Sequence, residues 1–227
     1  MTQAPPRALP LLPRLAPGLL AAVAGGLLTG GFGAWAYYDD TFRLLAHTFG
    51  TWIVLVVLVS ARQPWPVAVL RSVAGLAAAV LSFYVGKKVV YGVDYPGMPY
   101  PLDVDQIVEW LVLAVVAGCL LGWSCCRIGR PDRAGTVSAA AAVGLLVADA
   151  ARRLWSWRYG WNWGFDHESA ALTAVTVLGV ALVLGIAVRS RRQLPAVVLW
   201  AVPMVALGLV LVSLPDALEQ VLVTGGF

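Results

Sequence analysis

The chain has 227 residues, of which 60% are hydrophobic and only 12% are charged. A soluble domain carries about 25% charged residues, so this composition excludes an ordinary soluble domain and indicates an integral membrane protein. The formal net charge of +4 would suit nucleic-acid binding. However, the arginines fall in short loops between apolar stretches, as in membrane proteins with a positive cytoplasmic side. We therefore expect the lipid bilayer as the main partner and no nucleic acid.

Apolar stretches follow one another along nearly the whole chain. Each has roughly 19–22 residues, enough to cross a hydrocarbon core of ~30 Å as a helix. We predict seven membrane spans, at 17–38, 42–60, 72–91, 107–126, 134–153, 169–188 and 194–213. The predicted fold is an all-α, polytopic transmembrane helical bundle that forms a single domain over residues 1–227.

The first span has two interpretations. Arg7 and Arg14 precede its apolar run, and Ala34-Trp35-Ala36 resembles the cleavage site of a secretory signal. The run is longer than the typical 7–15 residues of a signal, so we expect a retained helix. Both interpretations place the N-terminus in the cytoplasm.

The basic residues also predict the orientation. With the N-terminus inside, the cytoplasmic segments contain ten basic residues and one acid, and the other side contains six basic residues and eleven acids. Because Lys and Arg are enriched in cytoplasmic loops, we predict a multi-pass protein of the cell membrane. Its seven spans then leave the N-terminus inside and the C-terminus outside.

Short turns with arginine and proline punctuate the spans after the first, at 62–64, 127–131 and 189–195. They divide the rest of the chain into three helical hairpins, so the bundle reads as one helix plus three hairpins. Internal repeats are common in membrane transporters. The alternative is that any short cytoplasmic loop collects arginine and proline, without a repeat.

The loop before the sixth span is rich in tryptophan, with Trp155, Trp157, Trp161 and Trp163 close together. One interpretation is an interfacial anchor, because Trp and Tyr are enriched at headgroup depth. The other is an aromatic lid that stacks on a sugar, a ring or a cation above a pocket. The sequence leaves both open.

Two acidic residues lie inside the spans, Glu109 and Asp149, each about one turn from the predicted outer end of its helix. Ionisable groups inside a membrane are costly and often functional. Together with Arg152, Arg153 and the four tryptophans, they are our candidate ligand-binding residues. The structural alternative is that Asp149 pairs with Arg152 or Arg153 along the helix, while Glu109 reaches the headgroups.

The sequence gives no sign of catalysis, of a cofactor or of a bound metal. The acids and histidines of the outer loops have no recognised ligand spacing, and the three cysteines match neither a zinc motif nor a disulfide framework. No motif of an intramembrane protease or a nucleotide-binding loop is present. We therefore predict a protein that is not an enzyme. These outer-loop groups are Asp39, Asp40, His47, Asp166, His167 and Glu168, and the cysteines are Cys119, Cys125 and Cys126.

One part of the chain resembles a known family. The run His47-Thr-Phe-Gly-Thr-Trp-Ile-Val-Leu-Val-Val-Leu-Val, followed by Ser82-Phe-Tyr-Val-Gly, is similar to an uncharacterised family of actinobacterial integral membrane proteins. That family is classed as a domain of unknown function, and the similarity extends over about residues 43–95. The resemblance implies a bacterial inner-membrane protein and brings no catalytic residues.

Two functions are consistent with these features. The first is binding or transport of a small solute through an outward-facing vestibule, which the aromatic outer loop and the bundle size favour. The second is a structural or regulatory subunit of a larger membrane complex. Small residues at 75–79 and 139–144 favour the second function, because they allow close contact between helices.

Overall fold

The computed structural model describes residues 12–159, 167–190 and 193–224, with side chains over 16–155, 167–190 and 193–214. These residues form eight α-helices and no strand, which confirms the all-α prediction. Six of the helices, α1, α4, α5, α6, α7 and α8, are long and apolar enough to cross a membrane. The chain is therefore a multi-pass membrane protein. The helices are α1 (Leu12–Ala36), α2 (Arg43–Ala46), α3 (Gly50–Ser60), α4 (Trp65–Asp94), α5 (Val104–Cys125), α6 (Arg133–Tyr159), α7 (His167–Ala187) and α8 (Gln193–Thr224).

The predicted span 42–60 is not one continuous helix. It is divided into the single turn of α2 and the 11-residue α3, with a break between Ala46 and Gly50. Eleven residues cover ~16 Å at ~1.5 Å per residue, about half of a hydrocarbon core. Hydropathy predicted a seventh full span because the residues on both sides of the break are apolar. The described residues show six long helices and one half-length helix instead.

Two groups of three helices enclose the half-length helix. In one group α4 packs between α1 and α5, and in the other α6 packs between α7 and α8. Helix α3 lies between the groups and contacts α1, α4, α5, α6 and α7. Its side chains Val56 and Val57, both almost fully buried, therefore belong to the main apolar core.

The helices do not pack as three consecutive hairpins. Helix α5 packs mainly against α4 and only slightly against α6, while α8 packs against α6. The turn after α5 thus connects helices of different groups, and the turn after α7 connects helices that pack on α6 rather than on each other, whereas α3 and α4 do pack together. The hairpin prediction relied on adjacency in the sequence, which does not decide which apolar faces meet.

Small residues allow the closest helix contacts. A side chain at Gly26 would collide with the carbonyl of Gly75, and one at Gly30 would collide with the carbonyl of Ala79. The backbones of α1 and α4 therefore touch, as small residues permit in membranes. Gly75 and Ala79, which the sequence suggested for contacts with a partner protein, are thus used in contacts within the chain itself.

Turns that carry arginine meet at one end of the bundle. The guanidinium of Arg62 donates to the carbonyl of Ile186 at 2.7 Å, and the amide of Gln193 donates to the carbonyl of Arg130 at 3.2 Å. The turns after α3, α5 and α7 are therefore neighbours. We call this the arginine end of the bundle.

Tyrosines and a lysine gather at the opposite end, which we call the tyrosine end. The ammonium of Lys87 lies 3.8 Å from the centre of the Tyr37 ring, a cation–π contact. Tyr38, in the loop after α1, is hydrogen-bonded to Tyr100, in the loop before α5. Burial and then Tyr100 raise the pKa of Tyr38 to about 12, so Tyr38 joins the two loops as a neutral phenol.

Candidate functional site

The buried carboxylate of Asp149 joins α6 to the start of α3. Its side chain is 1% exposed, and its Oδ2 accepts hydrogen bonds from the backbone N–H groups of Phe49, at 2.7 Å, and Gly50, at 3.0 Å. The first N–H groups of a helix have no partner within the helix, and a negative charge there is favoured by the helix dipole. Asp149 therefore caps α3 where it begins inside the bundle.

Arg152 completes this polar cluster. Its guanidinium Nη2 lies 3.8 Å from Oδ1 of Asp149, which confirms the predicted pairing along the helix. The same guanidinium lies 5.9 Å from the centre of the Phe49 ring. Arg153 also interacts with Asp149, so the carboxylate is held beside two guanidinium groups close to the break in the chain.

An apolar groove lies between α5 and α8, with a volume of about 330 Å³. Its walls come from α3, α4, α5, α6 and α8, and every side chain that lines it is aliphatic or aromatic. We call it the α5–α8 groove. Its lining includes Phe49, Trp52, Trp110, Leu113, Ala117, Leu120 and Val212.

The α5–α8 groove opens sideways, within the membrane-spanning length of the bundle. On its rim Leu120 is 64% exposed and Leu214 is 47% exposed. Along α5 the lining runs from Trp110 to Leu121, which is ~16 Å at ~1.5 Å per residue. On the other side of the bundle, near the tyrosine end, the short helix α2 contacts both α1 and α7. It therefore fills the space between these two helices.

Glu109 lies on α5 one turn before the groove-lining residue Leu113. It is half-buried, and it precedes Leu113, Val116 and Leu120 by four, seven and eleven residues, spacings that share one face of a helix. All three of these residues line the groove. In the part of the chain whose side chains are described, no basic group lies within salt-bridge distance of Glu109. The structure thus separates the two acids: Asp149 caps α3, and Glu109 lies on α5 one turn from the groove-lining residues.

The other candidate residues are placed only in part. Arg153 is half-buried on α6, and Trp155 is 66% exposed near the end of that helix. The side chain of Trp157 and all of Trp161 and Trp163 lie outside the described residues, so the lid and the anchor interpretations both stay predictions. Among the described residues, no three His, Cys, Asp or Glu side chains are grouped to hold a metal ion.

Sequence reasoning did not identify Phe49, Gly50, Trp52 and Trp110 as site residues. Phe49 and Gly50 supply the N–H groups for Asp149, and the aromatic rings form one end of the groove. The glycine in the middle of a predicted span was the available signal for a helix break, since glycine weakens a helix interior. The aromatic residues carried no such signal, because lipid-facing and groove-facing rings look alike in a sequence.

Comparison with known proteins gives a family and no activity. The model of a family of unknown function, DUF6518, matches residues 9–218. This match confirms the resemblance to a family of unknown function that was inferred from residues 43–95, and it extends that resemblance over most of the chain. No curated protein and no solved structure matches the chain.

Proposed function

We propose, for a chain that belongs to the family of unknown function DUF6518, binding of a small apolar or amphipathic molecule in the α5–α8 groove. The observation that carries this proposal is the groove itself, about 330 Å³ with only aliphatic and aromatic side chains along it. Pockets for small molecules have roughly 300–1,000 Å³ and mainly apolar walls. The groove lies at the lower end of that range.

The proposed entry is from the bilayer rather than from the outer loops. The sequence favoured an outward-facing vestibule around Asp149, but that carboxylate is buried and occupied by the start of α3. The rim residues Leu120 and Leu214 are exposed along the side of the bundle instead. Transport, in this proposal, is movement of the bound molecule between the groove and the outer face past Glu109.

The proposal includes the orientation of the protein in a bacterial cell membrane. The N-terminus and the arginine end face the cytoplasm, and the tyrosine end faces outward. The contacts of Arg62 and Gln193 support this, because they gather the arginine turns at one end. Helices α2 and α3 together carry the chain from one end to the other, which makes seven passages and leaves the C-terminus outside.

We do not propose an enzyme. The walls of the groove are hydrocarbon and aromatic side chains, which offer no acid, base or nucleophile to a bound molecule. Binding alone accounts for such a lining.

A structural or regulatory subunit is the second candidate, in which a helix of a partner protein occupies the groove. The exposed apolar rim of the groove favours it. Its original support from the small residues at 75–79 is weaker, because Gly75 and Ala79 are used in contacts with Gly26 and Gly30 of α1. The two candidates predict different occupants of the same space.

Native mass spectrometry of protein extracted gently from its membrane tests the proposal. The wild type should retain a small molecule, and Ala117→Trp should lose it, because an indole would fill the groove that Ala117 lines. Ala181→Trp, a matched change at an exposed position of α7, should retain it. A wild type that carries only a stoichiometric protein partner, or nothing, would contradict the proposal.

A further inference from the structure

We infer that the ligand of the α5–α8 groove is an amphiphilic organic cation, whose apolar chain occupies the groove and whose positive head lies at Glu109 and the neighbouring aromatic rings. This inference rests on the proposed function and specifies its ligand class. Three observations support it: the position of Glu109 on α5, the aromatic rings at the same end of the groove, and the pairing of Arg152 with Asp149.

Glu109 is in register with the groove-lining face of α5. Leu113, Val116 and Leu120 share its face and all line the groove. Side chains on a helix lean toward its N-terminus, so the carboxylate of Glu109 extends from this face toward the tyrosine end. It therefore stands where the head of a molecule would lie when its chain occupies the groove.

The surroundings of the Glu109 carboxylate favour binding of a positively charged group. Glu109 lies within a helix that is long and apolar enough to cross a membrane, and it is half-buried. A charged group in such a place is costly unless it has a partner. No described basic side chain lies close enough to pair with Glu109, so a cationic ligand would supply the missing partner.

Aromatic rings line the same end of the groove. The rings of Phe49 and Trp110 are 6.1 Å apart, and those of Phe49 and Trp52 are 6.3 Å apart. All three residues line the groove, and Trp110 directly follows Glu109. The faces of Trp and Phe rings attract cations, and they do so without requiring a hydrogen-bond donor from the ligand. The combination suits an alkylated ammonium head.

The arginine beside the aromatic rings does not reverse this preference. Arg152 lies 5.9 Å from the Phe49 ring, but the carboxylate of Asp149 lies 3.8 Å from its guanidinium. Arg153 also interacts with Asp149, whereas no described basic group lies within salt-bridge distance of Glu109. An anionic head would meet the carboxylate of Glu109 and would be repelled.

Equilibrium binding to the wild type in phosphatidylcholine nanodiscs tests the inference, with empty nanodiscs as the background. The two probes are dodecyltrimethylammonium and dodecanol, which share the same chain and differ in the charge of the head. The wild type should bind the cation about tenfold more tightly than the alcohol, equivalent to ~1.4 kcal/mol. Glu109→Gln should remove most of this difference and leave dodecanol binding unchanged.

Matched variants separate charge from groove. Asp94→Asn makes the same change in charge at an exposed position at the end of α4 and should keep the preference for the cation. Trp110→Leu keeps the groove apolar, so it should weaken binding of the cation and spare dodecanol. Ala117→Trp should abolish saturable binding of both probes.

The possible failures are distinguishable. If neither probe binds the wild type saturably, the proposed function is wrong, and the inferred ligand class is wrong as well. If both probes bind equally well and neither Glu109→Gln nor Trp110→Leu alters their ratio, the groove binds amphiphiles but the cation inference is overturned. Persistent dodecanol binding shows that Glu109→Gln, Trp110→Leu and Asp94→Asn each leave the groove intact.

Discussion

The carboxylate Oδ2 of Asp149 lies 2.7 Å from the backbone nitrogen of Phe49, a residue 100 positions earlier in the chain. This bond fixes the point where α3 begins inside the bundle. A helix that starts within a membrane leaves N–H groups without partners, and an unsatisfied backbone group there costs several kcal/mol. One side chain of α6 thus makes the broken passage of residues 43–60 tolerable, and it holds the aromatic end of the groove in place.

The cap predicts a large difference between two chemically identical substitutions. Asp149→Ala should lower the free energy of unfolding by about 3–5 kcal/mol, because it leaves buried N–H groups unsatisfied and removes the carboxylate beside Arg152. Asp132→Ala should cost only about 1 kcal/mol, the usual value for an N-cap. Asp132 caps α6 from an exposed position, accepting from the N–H of Gly135 at 2.7 Å.

Unfolding of both variants in detergent micelles, followed by tryptophan fluorescence in denaturant, measures the difference. The wild type is the reference for each. Equal losses for Asp149→Ala and Asp132→Ala would show that the buried bond to Phe49 has no special role in stability.

The contact between α1 and α4 predicts opposite effects for two glycine substitutions. Gly30→Ala should destabilise the protein by about 1–3 kcal/mol, because the added methyl collides with the Ala79 backbone and overpacks the interface. Gly185→Ala, within α7, has no neighbouring atom within 4 Å of the new carbon. It should stabilise by up to ~1 kcal/mol through helix propensity.

Melting temperatures in the same detergent check the two glycine variants. Ala79→Gly should not relieve the effect of Gly30→Ala, because the added methyl collides with backbone atoms of residue 79 that this change leaves in place. An increase in melting temperature for Gly30→Ala, of the size found for Gly185→Ala, would mean that α1 and α4 are not in backbone contact.

Much of the helical content could be predicted from the sequence, because long apolar runs between charged turns have few alternatives in a membrane. The break before α3 was not predicted. Residues 42–60 are mostly apolar, Gly50 alone is a weak signal, and the group that caps the break, Asp149, is remote in the chain. The pairing of Asp149 with Arg152 was predictable, since it depends only on helical spacing.

The groove was harder to predict than the acids near it. It exists because α5 packs on α4 and α8 packs on α6, an arrangement decided by small residues meeting across distant helices. Leu113 and Leu120 have the same apolar character whether they face lipid, protein or a cavity. Glu109 was identified as unusual from its place inside a span, but its relation to the groove required the tertiary structure.

The orientation can be tested independently of the ligand. Reporter fusions after residues 65, 130 and 191 should be cytoplasmic, because the arginine turns lie at one end of the bundle and positive loops remain inside. A fusion after residue 100, in the loop before α5, should give the opposite signal. Extracytoplasmic signals at two of the first three sites would contradict the orientation.

A structure of the wild-type protein determined in lipid nanodiscs, beside that of Ala117→Trp, tests the central claim most directly. The account predicts elongated density in the α5–α8 groove of the wild type, in contact with Leu113, Leu120 and Val212, with its wider end beside Glu109. The indole should replace that density in the variant. A groove closed by direct packing of α5 on α8, or filled by the helix of another protein, would contradict the account.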